Sequence, residues 1–234
     1  MKKFLILLLF IILPVFAYEV YSPENYKYSK EGDTLLFVLD YSNSMSEYIN
    51  GKTKVNHLKE VVRRVLPEIS SETKMGLRVY GHTCNLLAYN ACRSSELVVP
   101  IGENHASNIS EGLNRLRPRG MTPITYSLKQ SVNRDLRNFY GNKHIILLTD
   151  GGENCDESPC EYAIELVKKR RDIKIDVIAF DVKDDDDLAQ LKCTADVTGG
   201  NFIETNTVAQ LTHAMQDLVI PHKTVQAQIY TGMD

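Results

Sequence analysis

The sequence predicts an α/β fold, in which a doubly wound, mostly parallel sheet is flanked by helices on both faces. Apolar runs of strand length alternate with segments whose apolar residues recur at helical spacing, and this alternation is typical of strand–helix–strand units. Two of the runs, residues 34–39 and 144–149, are apolar on both faces, as expected of central strands that helices cover on both sides. Each run is followed directly by an aspartate, Asp40 or Asp150.

The other elements follow in chain order. An amphipathic helix is predicted from the spacing of apolar residues between Val55 and Ile69, and a second long helix from the stripe between Ile124 and Leu136. Residues 76–82 and 96–102 are predicted to be strands joined by a loop that cysteines flank. The remaining predicted elements are a helix at about 160–171, a strand at 175–182, a helix at about 185–197, a strand at 199–205 and a helix at about 208–218.

The first residues predict export. Two lysines precede an unbroken apolar run at 4–17 that ends in small residues, a pattern typical of a signal peptide cut after Ala17. The alternative is an uncleaved membrane anchor, but the run is shorter than the roughly 20 residues that a spanning helix needs. We expect a periplasmic or secreted protein with no stable membrane insertion after cleavage. The predicted segments are a signal peptide at 1–17, an N-terminal arm at 18–32, the domain at 33–220 and a C-terminal tail at 221–234.

Composition and charge narrow the classes of partner. Of the 234 residues, 43% are hydrophobic and 24% are charged, which is ordinary for a soluble globular protein. The formal net charge is −3 and becomes −5 when the two lysines of the signal segment are removed. A mildly acidic chain lacks the basic surface of nucleic-acid-binding proteins and fits poorly with docking on anionic lipid. We therefore expect no nucleic-acid partner.

Five cysteines in an exported chain suggest disulfides. Cys84 and Cys92 flank one polar segment, and Cys155 and Cys160 flank another. Pairing within each couple leaves Cys193 as a free thiol, although five cysteines allow many pairings and the sequence does not fix the connectivity. A zinc site that combines the first couple with a neighbouring histidine is the alternative, but it lacks a second close pair of ligands.

Oxygen-bearing side chains follow the first central strand. Asp40, Ser42 and Ser44 occupy every second position, in a turn that can direct alternate side chains towards one point. Asn43 suits such a turn because asparagine tolerates the left-handed conformation. Ligands of doubly wound sheets bind outside the carboxyl ends of the strands, where Asp150 is also expected. Hydroxyl and carboxylate oxygens are hard donors that suit Mg²⁺.

A third segment, PRGMTPITYSL at 118–128, offers a further hydroxyl. Proline is favoured at the first position of a helix, so Pro123 makes Thr122 the predicted N-cap. An N-cap threonine at the edge of the sheet can present its hydroxyl to the same ion. Each hydroxyl taken alone is explained by a turn or a cap, and the complete set carries the metal-site prediction.

The stretches DYSNS, GMTPI and LLTDGGENC together resemble the von Willebrand factor type A domain, a Rossmann-like fold, and its metal-ion-dependent adhesion site. The resemblance covers roughly residues 33–220 in the order of elements. It implies that a divalent ion, Mg²⁺ or else Mn²⁺ or Ca²⁺, is held by five residues, namely Asp40, Ser42, Ser44, Thr122 and Asp150. It also implies that a carboxylate of a protein partner fills the outward position of the ion. The rim of this site would be formed by Tyr41, Asn43, Gly151 and Glu153.

Three functions are compatible with such a site. The first is a metal-dependent adhesion or protein-interaction module, the second is a hydrolase in which the ion activates water, and the third is an ion that only stabilises the fold. The sequence has no Gly-x-Ser-x-Gly elbow and no glycine-rich phosphate loop, and His82 is the one further candidate base beside the two aspartates. We therefore predict a binding module and not an enzyme. The acidic run from Asp181 to Gln190 is expected to complement a helix dipole and not to bind calcium.

Overall fold

The computed structural model describes residues 33–83 and 88–219. The predicted signal segment, arm and tail lie outside the described residues, as does Cys84. The strands are β1 (Thr34–Asp40), β2 (Tyr48–Ile49), β3 (Lys52–Thr53), β4 (Lys74–Tyr80), β5 (Ser95–Gly102), β6 (Lys143–Thr149), β7 (Ile173–Phe180) and β8 (Phe202–Thr205). The helices are α1 (Lys54–Val65), α2 (Ala88–Ala91), α3 (Ala106–Gly112), α4 (Ile124–Gln130), α5 (Pro159–Lys169), α6 (Asp185–Thr198) and α7 (Val208–Val219). Short 3₁₀ helices lie at Asn43–Ser46 and Leu66–Glu68, and a π-helical turn at Ser131–Asp135.

Strand β1 lies inside the main sheet and not at its edge. In the part of the chain that the structure describes, six strands form this sheet in the order β5-β4-β1-β6-β7-β8. β1 pairs in parallel with β4 on one side and with β6 on the other, whereas the edge strand β5 is antiparallel to β4. The predicted doubly wound, mostly parallel sheet is confirmed. The carboxyl ends of β1 and β6 therefore lie side by side, where their connections leave the sheet.

The two faces of the sheet carry separate hydrophobic layers. Phe37 and Leu39 pack into the layer that includes residues of α1, α3 and α7, while Leu36 and Val38 pack into the layer that includes residues of α4, α5 and α6. All four side chains are fully buried. Because successive side chains of a strand point to opposite faces, a strand covered on both sides is expected to be apolar at successive positions, as residues 35–39 are.

The helix predicted between Ile124 and Leu136 is interrupted. α4 ends after seven residues, at Gln130, and the π-helical turn begins at Ser131. Ser127 and Ser131 donate their hydroxyl hydrogens to backbone carbonyls four residues earlier, at 2.7 and 2.9 Å, and such side-chain bonds bend helices. Leu136 is nevertheless fully buried, so the apolar stripe identified the buried face even though it overestimated the length of the α-helix.

A hairpin that the sequence analysis did not predict separates β1 from α1. Strands β2 and β3 pair antiparallel, and the turn between them is formed by Asn50 and Gly51, whose φ angles are 50° and 83°. Positive φ at both positions is what a two-residue type I′ turn requires, and Asn-Gly is the strongest short signal for it. Strands of two residues each are too short to give an alternating pattern.

Disulfides are present as predicted, but the predicted pairing is wrong. Cys92 is bonded to Cys155 with their Cα atoms 5.5 Å apart, and Cys160 to Cys193 with theirs 5.4 Å apart. The pairs Cys84–Cys92 and Cys155–Cys160 therefore do not form, and Cys193 is not a free thiol. The sequence separations are 63 and 33 residues, so the bonds join segments that only the folded sheet brings together. The zinc alternative fails at Cys92, whose sulfur is in a disulfide.

Two observations bear on the compartment. Disulfides persist in oxidising surroundings, so the two observed here are consistent with an extracellular protein. No helix within residues 33–83 and 88–219 is both long enough and apolar enough to cross a membrane.

Candidate metal centre

The two aspartates at the ends of the central strands lie side by side at the carboxyl-terminal edge of the sheet, where its parallel strands terminate. Asp40 is the last residue of β1 and Asp150 directly follows β6, and these strands are neighbours. The side chains of both residues are buried. Two carboxylates are thus removed from water at the place where ligands of doubly wound sheets bind.

The two serines after Asp40 connect these carboxylates. Asp40 Oδ1 accepts the backbone N–H of Ser42 at 2.6 Å, and the hydroxyl oxygens of Ser42 and Ser44 are 3.0 Å apart. Ser44 in turn donates its hydroxyl hydrogen to Asp150 Oδ1 at 2.7 Å. The turn is a right-handed 3₁₀ helix, so the left-handed conformation expected of Asn43 is wrong.

The loop that carries Thr122 lies against the serine turn. Ser42 and Gly120 form a parallel bridge, and Gly120 O accepts the backbone N–H of Asn43 at 3.0 Å. The close approach needs Gly81, whose φ is +73° and where an added Cβ would lie 2.5 Å from Ser42 N. Thr122, two residues beyond Gly120, is 5% exposed. All five predicted ligands therefore belong to three loops that meet at one edge of the sheet.

Thr122 is not the N-cap of α4, in contrast to the prediction. Pro123 occupies the cap position with ψ of 69°. The N–H of Thr122 donates to Asn154 Oδ1 at 2.6 Å, and the N–H of Thr125 donates to Glu153 Oε2 at 2.7 Å. Side chains from the loop after β6 thus satisfy the backbone donors at this helix end, which local sequence cannot indicate.

One of the four predicted rim residues is contradicted by the structure. Tyr41 is not a rim residue, because its ring is fully buried and its hydroxyl donates to Leu113 O at 2.8 Å. Asn43 is exposed and Gly151 is half-buried. Glu153 is half-buried, and its two carboxylate oxygens accept the backbone N–H groups of Thr125 and Cys155, so it ties the loop after β6 to the start of α4.

Burial makes the negative charge of Asp40 energetically costly. Desolvation, followed by the charge of Asp150, raises the pKa of Asp40 to about 7, although hydrogen bonds from Ser42 and Thr149 oppose the shift. Thr149, which the sequence analysis missed, donates its hydroxyl hydrogen to Asp40 Oδ2 at 2.7 Å. No basic side chain within residues 33–83 and 88–219 forms an ion pair with Asp40. A buried carboxylate without a counter-charge is costly, and a cation bound beside it removes that cost.

Asp150 has a cationic partner that the sequence analysis also missed. Lys54 Nζ lies 3.0 Å from Asp150 Oδ2 and is 5% exposed as a residue. Burial raises the pKa of Asp150, while the Ser44 hydrogen bond and the Lys54 charge oppose the shift. A lysine at the first position of an otherwise amphipathic helix gave no local signal, because its partner is 96 residues away.

The donor chemistry fits a hard divalent ion. No group of three or more His, Cys, Asp or Glu side chains among the described residues is arranged to hold a metal, so a site here depends on hydroxyl oxygens. Ser42, Ser44 and Thr122 supply three hydroxyls, and the two aspartates supply carboxylates. Mg²⁺ accepts such a set because it needs few protein carboxylates and retains waters.

The other residues singled out in the sequence have structural roles. His82 lies just beyond β4, and its Nε2 is 3.4 Å from Glu96 Oε2 on β5. In the acidic run, Asp184 caps α6 by accepting the N–H groups of Asp186 and Asp187, both at 3.0 Å. The helix-capping interpretation of that run is confirmed, because carboxylates in the first turn complement the helix dipole.

Comparison with known proteins identifies relatives along most of the chain. The family model described as von Willebrand factor type A domain matches residues 34–217. The uncharacterized protein YwmC of Bacillus subtilis (strain 168) is 29% identical over 198 residues, which are 83% of this chain and 84% of YwmC. The uncharacterized protein YwmD of the same organism is 29% identical over 213 residues, 88% of this chain and 93% of YwmD.

Solved structures share the fold at low sequence identity. A von Willebrand factor type A protein from Catenulispora acidiphila has a TM-score of 0.63 at 18% identity, over 81% of this chain and 42% of that one. Proximal thread matrix protein 1 from the mussel byssus has a TM-score of 0.62 at 18% identity, over 82% of this chain and 46% of that one. This chain therefore spans less than half the length of either. A further structure of the mussel protein has a zinc-occupied MIDAS motif, its metal-ion-dependent adhesion site.

Proposed function

Because this chain belongs to the von Willebrand factor type A family, whose domains are generally binding modules, we propose that it is an exported, divalent-metal-dependent protein-binding module. The proposed site residues are Ser42, Ser44 and Thr122 through their hydroxyls, and Asp40 and Asp150 through their carboxylates, which act directly or by way of bound water. Mg²⁺ is the proposed ion, with Mn²⁺ or Ca²⁺ as substitutes, and the zinc in the mussel relative supports a divalent ion at this position. The apolar segment at 4–17 and the two disulfides support export.

The observation that carries the proposal is the buried, unpaired carboxylate of Asp40. It lies at the sheet edge beside a serine turn whose hydroxyls are 3.0 Å apart, and Ser44 links that turn to Asp150. A bound dication would supply an open coordination position for an acidic oxygen. Because the three hydroxyl ligands carry no charge and the charge of Asp150 is already offset by Lys54 at 3.0 Å, the ion would keep part of its positive charge and would attract an anionic group in a partly desolvated site. We therefore propose a protein partner that contributes a carboxylate.

Calorimetric titration with Mg²⁺ and Mn²⁺ tests the proposal. The wild-type protein is expected to bind one ion, and Thr122→Val, which removes a hydroxyl at nearly constant volume, is expected to weaken binding by roughly ten-fold or more. Thr34→Val is the matched control, because Thr34 is also buried, lies at the opposite end of β1 and has no hydrogen-bond partner for its hydroxyl within the described residues. Equal affinities for wild type and Thr122→Val would contradict the ligand set.

The same preparation separates binding from catalysis. The protein is incubated with generic ester and phosphoester substrates, with and without Mg²⁺. A binding module is expected to give no metal-dependent turnover. Turnover that requires the ion and disappears in Thr122→Val would instead support a hydrolase in which the metal activates water.

A further inference from the structure

Lys54 is a buried cation that three segments of the chain surround with carboxylates. It is the first residue of α1. Its Nζ lies 3.0 Å from Glu47 Oε2 in the segment after the serine turn, 3.0 Å from Asp150 Oδ2 after β6, and 3.3 Å from Asp181 Oδ2 after β7. Burying a lysine is costly unless its charge is paired, so this position holds a lysine because of its partners.

Among these partners, Asp150 is the one whose charge depends most on Lys54. The side chain of Glu47 is 66% exposed and therefore well solvated, and Asp181 has a second cation in Lys183. The side chain of Asp150 is fully buried. Three carboxylates within 3.3 Å of Nζ stabilise the charged form of Lys54.

Both oxygens of Asp150 are engaged. Oδ1 accepts the Ser44 hydroxyl at 2.7 Å and Oδ2 accepts from Lys54 at 3.0 Å. A carboxylate held between a serine and an ammonium group is fixed as an acceptor of hydrogen bonds and is less available as a direct ligand. Its negative charge is also offset by the lysine, which leaves Asp40 as the uncompensated carboxylate of the cluster.

We propose that Lys54 is a positioning residue that holds Asp150 back from direct metal ligation and offsets the negative charge of Asp150 beside the metal. This inference rests on the proposed function. The fixed ammonium charge repels a dication, so it weakens metal binding; once the ion is bound, the same charge strengthens the attraction for an anionic group. Lys54 thus weakens the binding of the metal and strengthens the binding of an acidic partner.

The two expected effects of Lys54 have opposite signs, because it weakens metal binding and strengthens anion binding. A residue that only stabilised the fold would not produce both effects. Lys54→Met is expected to bind Mn²⁺ at least about ten-fold more tightly than wild type at about pH 8, because a like charge beside the ion has been removed. Lys54→Arg keeps the charge and is expected to bind Mn²⁺ within about two-fold of wild type. If the lysine only held the fold together, its loss would loosen the site and weaken Mn²⁺ binding.

Lys52→Met is the matched control. Lys52 lies two residues earlier, and it pairs with Glu60 at 2.6 Å with about half of its side chain exposed. Removing this solvated charge is expected to leave the Mn²⁺ affinity unchanged, because exposed charges are screened. If Lys54→Met does not fold, Lys54→Gln replaces it, since glutamine keeps amide donors for the carboxylates while removing the charge.

A second titration measures how Lys54 affects the binding of an anionic group to the metal-loaded protein, with acetate as the probe. Acetate is expected to tighten Mn²⁺ binding to the wild-type protein. The increase in Mn²⁺ affinity is expected to be several-fold smaller in Lys54→Met. Both values are corrected for the association of Mn²⁺ with acetate in buffer. Weaker or unchanged Mn²⁺ binding by the folded neutral variants would overturn the inference alone. Absence of Mn²⁺ binding by the wild-type protein would overturn the proposed function and this inference with it.

Discussion

Ser44 donates its hydroxyl hydrogen to Asp150 Oδ1 across 2.7 Å, although 106 positions separate the two residues in the chain. This bond joins the turn after β1 to the loop after β6. The two strands are neighbours in the sheet, so the hydroxyls of the first loop and the carboxylate of the second share one small volume. Local turn chemistry and sheet order together therefore create the candidate centre.

Substitution of Asp40 is expected to stabilise the metal-free protein. Asp40→Asn replaces a buried charge by a neutral group of the same shape, which should raise the free energy of unfolding in EDTA by about 1–3 kcal/mol at about pH 8. The increase in stability that Mg²⁺ gives the wild type should disappear. Urea unfolding with EDTA and with Mg²⁺ measures both effects.

Asp33→Asn is the control for this experiment. Asp33 is exposed and precedes the opposite end of β1, where Asn142 donates to it at 3.3 Å. Its substitution should change neither the stability nor the response to Mg²⁺. A loss of stability in metal-free Asp40→Asn would contradict the assignment of Asp40 as an uncompensated charge.

Stabilisation by Mg²⁺ is expected to depend on pH. The pKa of Asp40 rises from 3.8 to about 7 on folding, so the folded protein binds more protons than the unfolded chain between these values. The contribution of Asp40 to the free energy of unfolding is therefore fully present at low pH and is lost as pH rises through about 7. Protons also compete with the ion for the carboxylate. The rise in Tm on adding Mg²⁺ should be larger at about pH 8 than at about pH 5.5, and a rise that shrinks with pH would contradict this.

The two disulfides are expected to differ in their effect on metal binding. Removing either bond, as Cys92→Ser with Cys155→Ser or as Cys160→Ser with Cys193→Ser, should cost roughly 3–4 kcal/mol because each closes a long loop. Only the first pair should also weaken Mg²⁺ binding, since Cys155 follows the loop whose Asn154 holds the N–H of Thr122. Peptide mapping without reduction, unfolding and calorimetry check these outcomes. Equal Mg²⁺ affinities of the two double variants would remove the link between this bond and the site.

Features that depend on local pattern were predictable from the sequence. Residues 35–39 are apolar at every position because helices cover both faces of β1, and this pattern also placed Asp40 at the carboxyl end of the strand. The spacing of Ser42 and Ser44 indicated a turn, and the Asn50-Gly51 pair carried a hairpin signal that was overlooked. Lengths and ends of elements were less accurate, as the shortened α4 illustrates.

Features that depend on distant partners were not predictable. Cys92 and Cys155 are 63 residues apart and meet only once the sheet has formed. Lys54 finds Asp150 across 96 residues, and Glu153 satisfies the first turn of α4 from 28 residues away. Tyr41 was assigned to the rim by adjacency to Asp40, whereas its hydroxyl reaches Leu113 in the interior. A single sequence holds no local trace of such pairs.

The most direct test of the central claim is a crystal structure of the protein grown with Mn²⁺ and measured for anomalous scattering. The account predicts one anomalous peak within ligand distance of the hydroxyl oxygens of Ser42, Ser44 and Thr122, with Asp40 and Asp150 beside it and the outward position held by water or an acidic oxygen. A peak elsewhere, or an ion at this edge that Thr122 does not contact, would contradict the account.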